Sequence, residues 1–447
     1  MIGENYEALK NLLLTHRNKI DIIYIDPPYN TESAKDDGNS NGKETNNSGK
    51  FIYKDKFART GWLNMMNERL RLARDLLSES GVIFVSIDDT EQAYLKVLMD
   101  EIFGEDNFIA TFIWEKNYAP KNNSKFVSVN HDYILCFSKN KAYSLSFKRL
   151  ERSESNNKPY NKDDNDGKGP YRLSDLTVMN KNKSSKNRYD IHYNGNTYKL
   201  PSNSRNWRYN QTEMNKLILD GKIYFSDKVD GVPAFKRYLK DVEGVVSKTI
   251  LPHNIVGHTD SSAKALNSIF DGDEKFSYPK PIQLISYLIK LVPNNENAIV
   301  LDFFAGSGTT GHSVMQLNLE DGGKRKFILS TNNENNIGID ITYERLLRIT
   351  TGTNSDGINI EWANGKESKY FLNEKIRTYK INHFDISLEN NLNNSQDILE
   401  KIINKVTTNL KTLSSNFIDD ENILFKLNSL HPYKQEYTEK TKDESNR

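Results

Sequence analysis

The sequence predicts an α/β protein built on a mostly parallel sheet that is covered on both faces. Short, continuously apolar runs alternate with stretches of helical apolar spacing, the pattern of strands and crossover helices. The runs carry apolar residues at almost every position, as strands buried on both sides require. The pattern is also interrupted: residues 140–260 are polar and rich in turn residues, so a small α+β insert is expected there.

Taken in order, Tyr6–Leu14 has the spacing of a short helix, and Asp21-Ile22-Ile23-Tyr24-Ile25 is a strand ending at Asp26. Residues 31–50 mix Asn, Ser, Gly, Asp and Lys and read as a mobile loop. Trp62–Leu77 returns to helical spacing, with Gly81 read as its stop, and Val82–Ile87 is a second buried strand. A helix over Glu91–Ile102 and strands at Phe108–Trp114 and Tyr133–Phe137 follow. Beyond the insert come a helix at Pro281–Leu291 and a strand at Ala298–Asp302 that runs into a glycine-rich turn. Helix Thr310–Leu317, strand Phe327–Ser330 and helix Tyr343–Ile349 continue the pattern, which fades after residue 350. The charged tail from Glu436 is expected to fray. Four segments result: an α/β part at 1–139, the insert at 140–275, a second α/β part at 276–350 and an accessory region at 351–447.

Composition narrows the function. With 36% hydrophobic residues the 447-residue chain can build real cores, in two or three domains. No apolar run reaches the roughly 18 residues a membrane span needs, and no secretory leader is seen, so a cytoplasmic protein is expected. The only cysteine, Cys136, lies between Leu135 and Phe137 and reads as core. The eight histidines lack ligand spacing and Asp88-Asp89 reads as a cap for the helix after it, so no metal is expected. A net charge of +1 does not by itself point to nucleic acid.

Two loops carry chemistry, each at the carboxyl end of a strand, where open α/β sheets bind ligands. In Asp26-Pro27-Pro28-Tyr29 the prolines fix an extended backbone and remove two N–H donors, leaving the Pro27 and Pro28 carbonyls as acceptors. An exocyclic amine has two hydrogens to place; Asp26 can take one and a prolyl carbonyl the other, while Tyr29 offers a flat face for a base taken out of its stack. The bland alternative is a rigid turn. In Asp302-Phe303-Phe304-Ala305-Gly306-Ser307-Gly308-Thr309-Thr310-Gly311 the glycines allow a tight turn and close approach to a ligand at a helix N-terminus. No Lys follows in a phosphate-loop position, and a dinucleotide site is the competing reading of this loop alone.

The two loops in this order resemble amino-group DNA methyltransferases with circularly permuted motifs, most closely the modification subunits of type III restriction systems. Further segments carry the likeness over roughly residues 1–380: Gly3-Glu4-Asn5, Trp62–Met66 with Arg69-Leu70, Val85–Asp89, His131–Ile134 and Tyr278-Pro279-Lys280-Pro281. The resemblance implies a Rossmann-like methyltransferase fold with an inserted target-recognition domain, and S-adenosylmethionine lying across the strand ends. It places Glu4, Asp26, Lys280, Asp302, Phe304, Gly306 and Gly308 around the cofactor, with Lys280 closing over it. No carboxylate ends the strand at Phe327–Ser330, so either Glu334 or Asp340 is left to hold the ribose. Only Met1 and Ile2 precede Gly3, where relatives carry at least a strand; a truncated start or a compact variant would weaken the pocket there.

Within the insert, between Lys181 and Asn210, Lys181, Lys183, Lys186, Arg188, Lys199, Arg205 and Arg208 stand against the single acid Asp190, interleaved with Tyr189, Tyr193, Tyr198, Trp207 and Tyr209. Basic groups with aromatics suit a duplex-DNA reader, and Lys181, Lys183, Lys186, Arg188, Arg205, Trp207 and Arg208 are its candidate contacts; the alternative is a solvated surface whose aromatics make a small core under it. Lys116–Lys125 adds charge beside the α/β part. The expected reaction is methyl transfer to adenine N6 in duplex DNA; an Asp at position 26, where cytosine-N4 enzymes more often carry Ser, favours adenine. An RNA amino-methyltransferase and a non-catalytic DNA-reading subunit are the alternatives. The resemblance further implies a homodimer and a helicase-nuclease restriction partner.

Overall fold

The computed structural model describes residues 1–31, 58–120, 122, 124–144, 146–179, 186–226, 231–360, 376–381 and 404. Beyond Thr31, the loop read at 31–50 lies outside them, as does the tail from Glu436. The chain divides into two compact units, Met1–Phe147 with Lys248–Arg447, and Lys148–Ser247. No helix among the described residues is long and apolar enough to cross a membrane.

The larger unit runs α1 (Asn5–His16), β1 (Ile20–Ile25), α2 (Arg59–Leu76), β2 (Leu77–Ile87), α3 (Gln92–Phe103), β3 (Phe108–Glu115) and β4 (His131–Ser138) before the excursion into the smaller unit. It resumes with β5 (Ile250–Leu251), α4 (Thr259–Ile269), α5 (Ile282–Leu291), β6 (Ile299–Asp302), α6 (Thr309–Asp321), β7 (Lys326–Leu329) and α7 (Glu344–Thr351). The strands form one seven-stranded sheet in the order β5-β3-β4-β2-β1-β6-β7. Only β4 runs against its neighbours; the pairs β1–β2, β1–β6, β6–β7 and β5–β3 are parallel. From β1 the chain steps outward through β2, and from β6 it steps the other way to β7. The sheet's topological switch therefore falls between β1 and β6, the crevice where such sheets bind ligands. Their register, Ile22 opposite Val300 and Ile23 opposite Leu301, brings the loops after both strands to one edge.

Both faces of the sheet are buried, which explains the unbroken apolar runs. Ile23, Ile25, Ile83 and Val85 pack under α1, α2 and α3 through Leu9, Trp62, Met66, Leu70, Leu95 and Met99. The alternating residues Ile22, Tyr24 and Phe84 are equally buried on the opposite side. A second cluster joins α4, α6 and α7 through Leu266, Ile269, Met315, Leu346 and Ile349.

Three local readings change. Gly81 does not stop a helix: α2 ends at Leu76 and β2 begins at once, with a bulge where the pairing jumps from Ile20–Leu77 to Ile22–Val82. A Cβ on Gly81 would lie 2.9 Å from the Ile20 carbonyl, so glycine is needed for close strand approach. A π-helical segment, Ile337–Tyr343, precedes α7 without any signal in the apolar period. Asp88 caps the turn before α3 by accepting from the Thr90 N–H at 2.9 Å, one step short of the helix itself.

The smaller unit is α+β. Tyr171–Asp175, Ala234–Tyr238 and Ile223–Tyr224 make an antiparallel sheet; Thr177–Met179 pairs with Arg205–Trp207, and Ile191–Tyr193 with Asn196–Tyr198. Helix Gln211–Leu219 starts with a reciprocal capping box between Asn210 and Glu213. Leu176, Ile191, Trp207, Met214 and Ile223 form its core. Ile250–Leu251 already belongs to the large sheet, so the polar stretch read as 140–275 includes residues on both sides of this unit.

Candidate active site

Asp26 emerges at the end of β1 with its carboxylate held from two sides. The Tyr29 hydroxyl donates to Oδ1 at 2.8 Å, and the Lys280 ammonium donates to Oδ1 at 2.7 Å and Oδ2 at 2.6 Å. Burial, then the adjacent Asp26 charge, pushes the Tyr29 phenol well above its ordinary range, so it stays a donor. The Lys280 nitrogen lies 5.0 Å from the Tyr29 ring centroid and 5.8 Å from that of Trp114. Lys280 thus does more than line the cavity beside the glycine loop: it covers one face of Tyr29 and neutralises Asp26.

The two prolyl carbonyls are not equivalent. The buried Trp62 indole N–H donates to the Pro28 carbonyl at 2.7 Å, which takes up one of that acceptor's two lone pairs. Among the described residues, no chain donor meets the Pro27 carbonyl. Asn30, in the left-handed region at φ 61°, ends the loop by donating to the buried Glu91 carboxylate at 2.9 Å, and Arg59 pairs with Glu91 from outside.

The glycine loop is tied from beneath. Gly306 and Gly308 take φ of 50° and 78°, and Gly308 caps α6. Asp302 accepts from the Phe304 N–H at 3.0 Å and the Thr310 hydroxyl at 2.6 Å. Arg345, fully enclosed, donates to the Ser307 carbonyl at 3.1 Å and the Thr309 hydroxyl at 2.9 Å. Burial lowers its pKa to about 9 and holds the adjacent His312 well below the ordinary histidine range, so that ring is neutral. Arg345 was not foreseen, although it falls four residues from both Ile341 and Ile349, a charge on the buried side of an apolar period.

Burial also raises Asp302 to about 7. Folded Asp302 therefore keeps its proton to higher pH than an unfolded aspartate, which titrates near ~4. Its stabilising contribution is complete below that lower value and is lost as pH rises through about 7. Asp302→Asn is expected to remove a decline in unfolding free energy of at most on the order of 4 kcal/mol between those limits. Urea titrations from acid to neutral pH read it directly; an unchanged slope in the variant would reject the assignment.

Between the loops lies a cavity of about 320 Å³. Asp26, Pro28, Lys280, Asp302, Phe304, Gly306, Glu4 and Glu334 line it, with Phe276, Tyr278 and Arg69; Gly308 and Tyr29 are not among the lining residues. Arg69 joins Glu4 to Asn5 by donating to both carboxylate and amide, and Asn5 donates to the Phe303 carbonyl at 2.8 Å. Of the two ribose candidates Glu334 borders the cavity; Asp340 is an exposed residue of the π-helical segment. Near the first residues, Gly3 donates to the Thr331 carbonyl at 2.9 Å, and Ile2 pairs with Tyr379 and Ile381.

In the smaller unit, Lys181 and Lys183 lie outside the described residues. Lys186 and Arg208 are exposed. Arg188 is spent on the Asn203 and Arg205 carbonyls, and Arg205 pairs with Asp175 at 2.6 Å. Trp207 is no DNA contact: it is fully buried, its indole N–H donating to the Tyr189 carbonyl at 2.7 Å.

Residues 20–350 match the DNA methylase family model. The chain belongs to that family. It is 34% identical over 364 residues to the StyLTI Mod subunit of a type III restriction-modification enzyme from Salmonella typhimurium, covering 74% of this chain and 52% of that protein. It is 28% identical over 422 residues to the EcoP15I Mod subunit of Escherichia coli, covering 80% and 64%. Against the type II methyltransferase M.KpnI of Klebsiella pneumoniae, identity is 29% over 391 residues, covering 83% and 88%. The chain thus spans between half and two thirds of the two Mod subunits. Likeness to solved structures is loose, as with the cytosine-N4-specific PvuII DNA methyltransferase: TM-score 0.38 at 12% identity, over 90% of this chain and 91% of that one.

Proposed function

We propose that this DNA methylase transfers a methyl group from S-adenosylmethionine to the N6 amine of adenine in duplex DNA. One observation carries the reading: the Asp26 carboxylate, an acceptor for an amine followed directly in the chain by the Pro27 carbonyl, lines a cavity walled by a glycine loop on the adjacent parallel strand. The cavity suits the cofactor chemically. The Phe304–Gly306 backbone borders it, and the Glu334 and Glu4 carboxylates suit the hydroxyls and amine of a nucleoside. When bound, S-adenosylmethionine supplies an electrophilic methyl group on a sulfonium.

The chain's residues do the rest. An extruded adenine stacks on Tyr29 and donates one N6 hydrogen to Asp26 and the other to the Pro27 carbonyl, which turns the nitrogen lone pair toward the methyl group. Lys280 yields at least one Asp26 oxygen for this to occur. The amine would shed its surplus proton to solvent only after it had been methylated, so Asp26 acts by orientation more than as a strong base. Trp62 and Asn30 hold the loop still. Exposed Lys186 and Arg208 of the smaller unit are offered to phosphates.

The likeness to StyLTI and EcoP15I further suggests the modification side of a type III restriction-modification system, working as a dimer with a restriction subunit in the cytoplasm. The test is transfer from labelled cofactor to duplex DNA and to RNA, with the modified base identified after hydrolysis. N6-methyladenine in DNA is expected. N4-methylcytosine, label in RNA alone, or no transfer would each reject the proposal.

A further inference from the structure

The connection from β3 to β4 ends its first strand at the active edge of the sheet, since Trp114 faces Lys280 on Asp26. The backbone is clamped at its base. The Asn130 amide donates to the Asn117 carbonyl at 3.1 Å and the Ala119 carbonyl at 3.2 Å, and the Asn117 N–H returns to the Asn130 carbonyl at 3.2 Å. Beyond the clamp, two adjacent large apolar residues stand in solvent, Phe126 at 86% and Val127 at 78% exposure. Residues 116–130 contain Lys116, Lys121 and Lys125 and no acid. Lys125 lies over the Phe126 ring at 5.4 Å, so the tip presents an apolar wedge with a cation at its flank.

We infer that this tip enters the duplex at the target site, Phe126 filling the space that the extruded base vacates while Lys125 meets the adjacent phosphate. Apolar side chains inserted between base steps offset unstacking in this way, and a basic flank suits a polyanion. The tip's position fits, because a base that reaches Asp26 must leave its stack beside this edge. The inference rests on the proposed DNA methylation.

The experiment compares Phe126→Ala, Phe126→Leu and the parent on two duplexes, one with the target base paired and one with it facing an abasic site. Extrusion is already cheap in the second duplex. Phe126→Ala is expected to lose about tenfold or more in kcat/KM on the paired duplex and about twofold or less on the other, with Phe126→Leu recovering most of the loss. Full activity of Phe126→Ala on the paired duplex, or equal loss on both, would overturn the wedge. A shift in oligomeric state with both activities unchanged would overturn it too, assigning the tip to a protein contact. If the parent itself methylates neither duplex, the proposed function has failed instead. Phe126 touches no core, so thermal unfolding of the variants should match the parent.

Discussion

Asp26→Ala is expected to lower single-turnover methyl transfer by roughly 10³-fold or more while cofactor affinity falls only a few-fold. The side chain is the hub of the catalytic loop: it takes the Tyr29 hydroxyl and both contacts of Lys280. Truncation removes the acceptor for the amine, frees the Tyr29 ring and leaves a nine-tenths buried ammonium without its anion. The cofactor's own surroundings at Phe304, Gly306 and Glu334 stay in place. Asp26→Asn separates these effects. It keeps one acceptor oxygen for the amine but cannot neutralise Lys280, so an intermediate loss is expected. Rapid-quench transfer and equilibrium dialysis with the cofactor measure the two quantities. Near-normal turnover of the alanine variant on DNA would remove Asp26 from the chemistry.

The sequence made the sheet legible because buried parallel strands leave a clear trace: Ile22–Ile25, Val82–Val85 and Val300–Leu301 are apolar on both alternating sets. The two loops were legible for a related reason, since glycine and proline declare their backbone demands locally. What escaped were consequences of long-range contact. Nothing near Pro28 announces that Trp62, 34 residues on, will occupy its carbonyl. Gly81 looked like a helix stop because glycine serves that purpose often, whereas its reason here is a carbonyl on a neighbouring strand. Trp207 sits in a basic run and was read by its company; in a unit of some hundred residues, the largest aromatic is needed for the core. Arg345 could have been suspected, because a charge at an apolar-period position on a helix must find buried partners. The pairing of Lys280 with Asp26 joins residues 254 apart in sequence and depends wholly on the crossover between β1 and β6.

Gly308→Val is expected to weaken cofactor binding by about 100-fold and to destabilise the fold by about 2 kcal/mol, for reasons that can be separated. At φ 78° an L residue pays strain, and a β-branched one more. A Cβ there would come within 3.3 Å of the Thr342 methyl and 3.5 Å of its carbonyl. Thr342 cannot simply retreat, since its hydroxyl holds the Gly306 carbonyl at 2.6 Å, and the Gly308 N–H closes the turn on the Ala305 carbonyl at 2.7 Å. Relief of the strain must therefore move Gly306, which lines the cavity. Gly322, at the other end of the same helix, provides the control. Its φ is 71°, with no atom within 4 Å of a would-be Cβ, so Gly322→Val bears the backbone strain without a path to the cavity. It should lose a similar stability and keep its cofactor affinity. Gly308→Asn, which tolerates the left-handed region, should fall between the parent and the valine variant. Calorimetric titration with the cofactor, set beside chemical unfolding of all three variants, decides the matter. Equal loss of affinity in Gly308→Val and Gly322→Val would mean that general destabilisation, and not the glycine loop, sets cofactor binding.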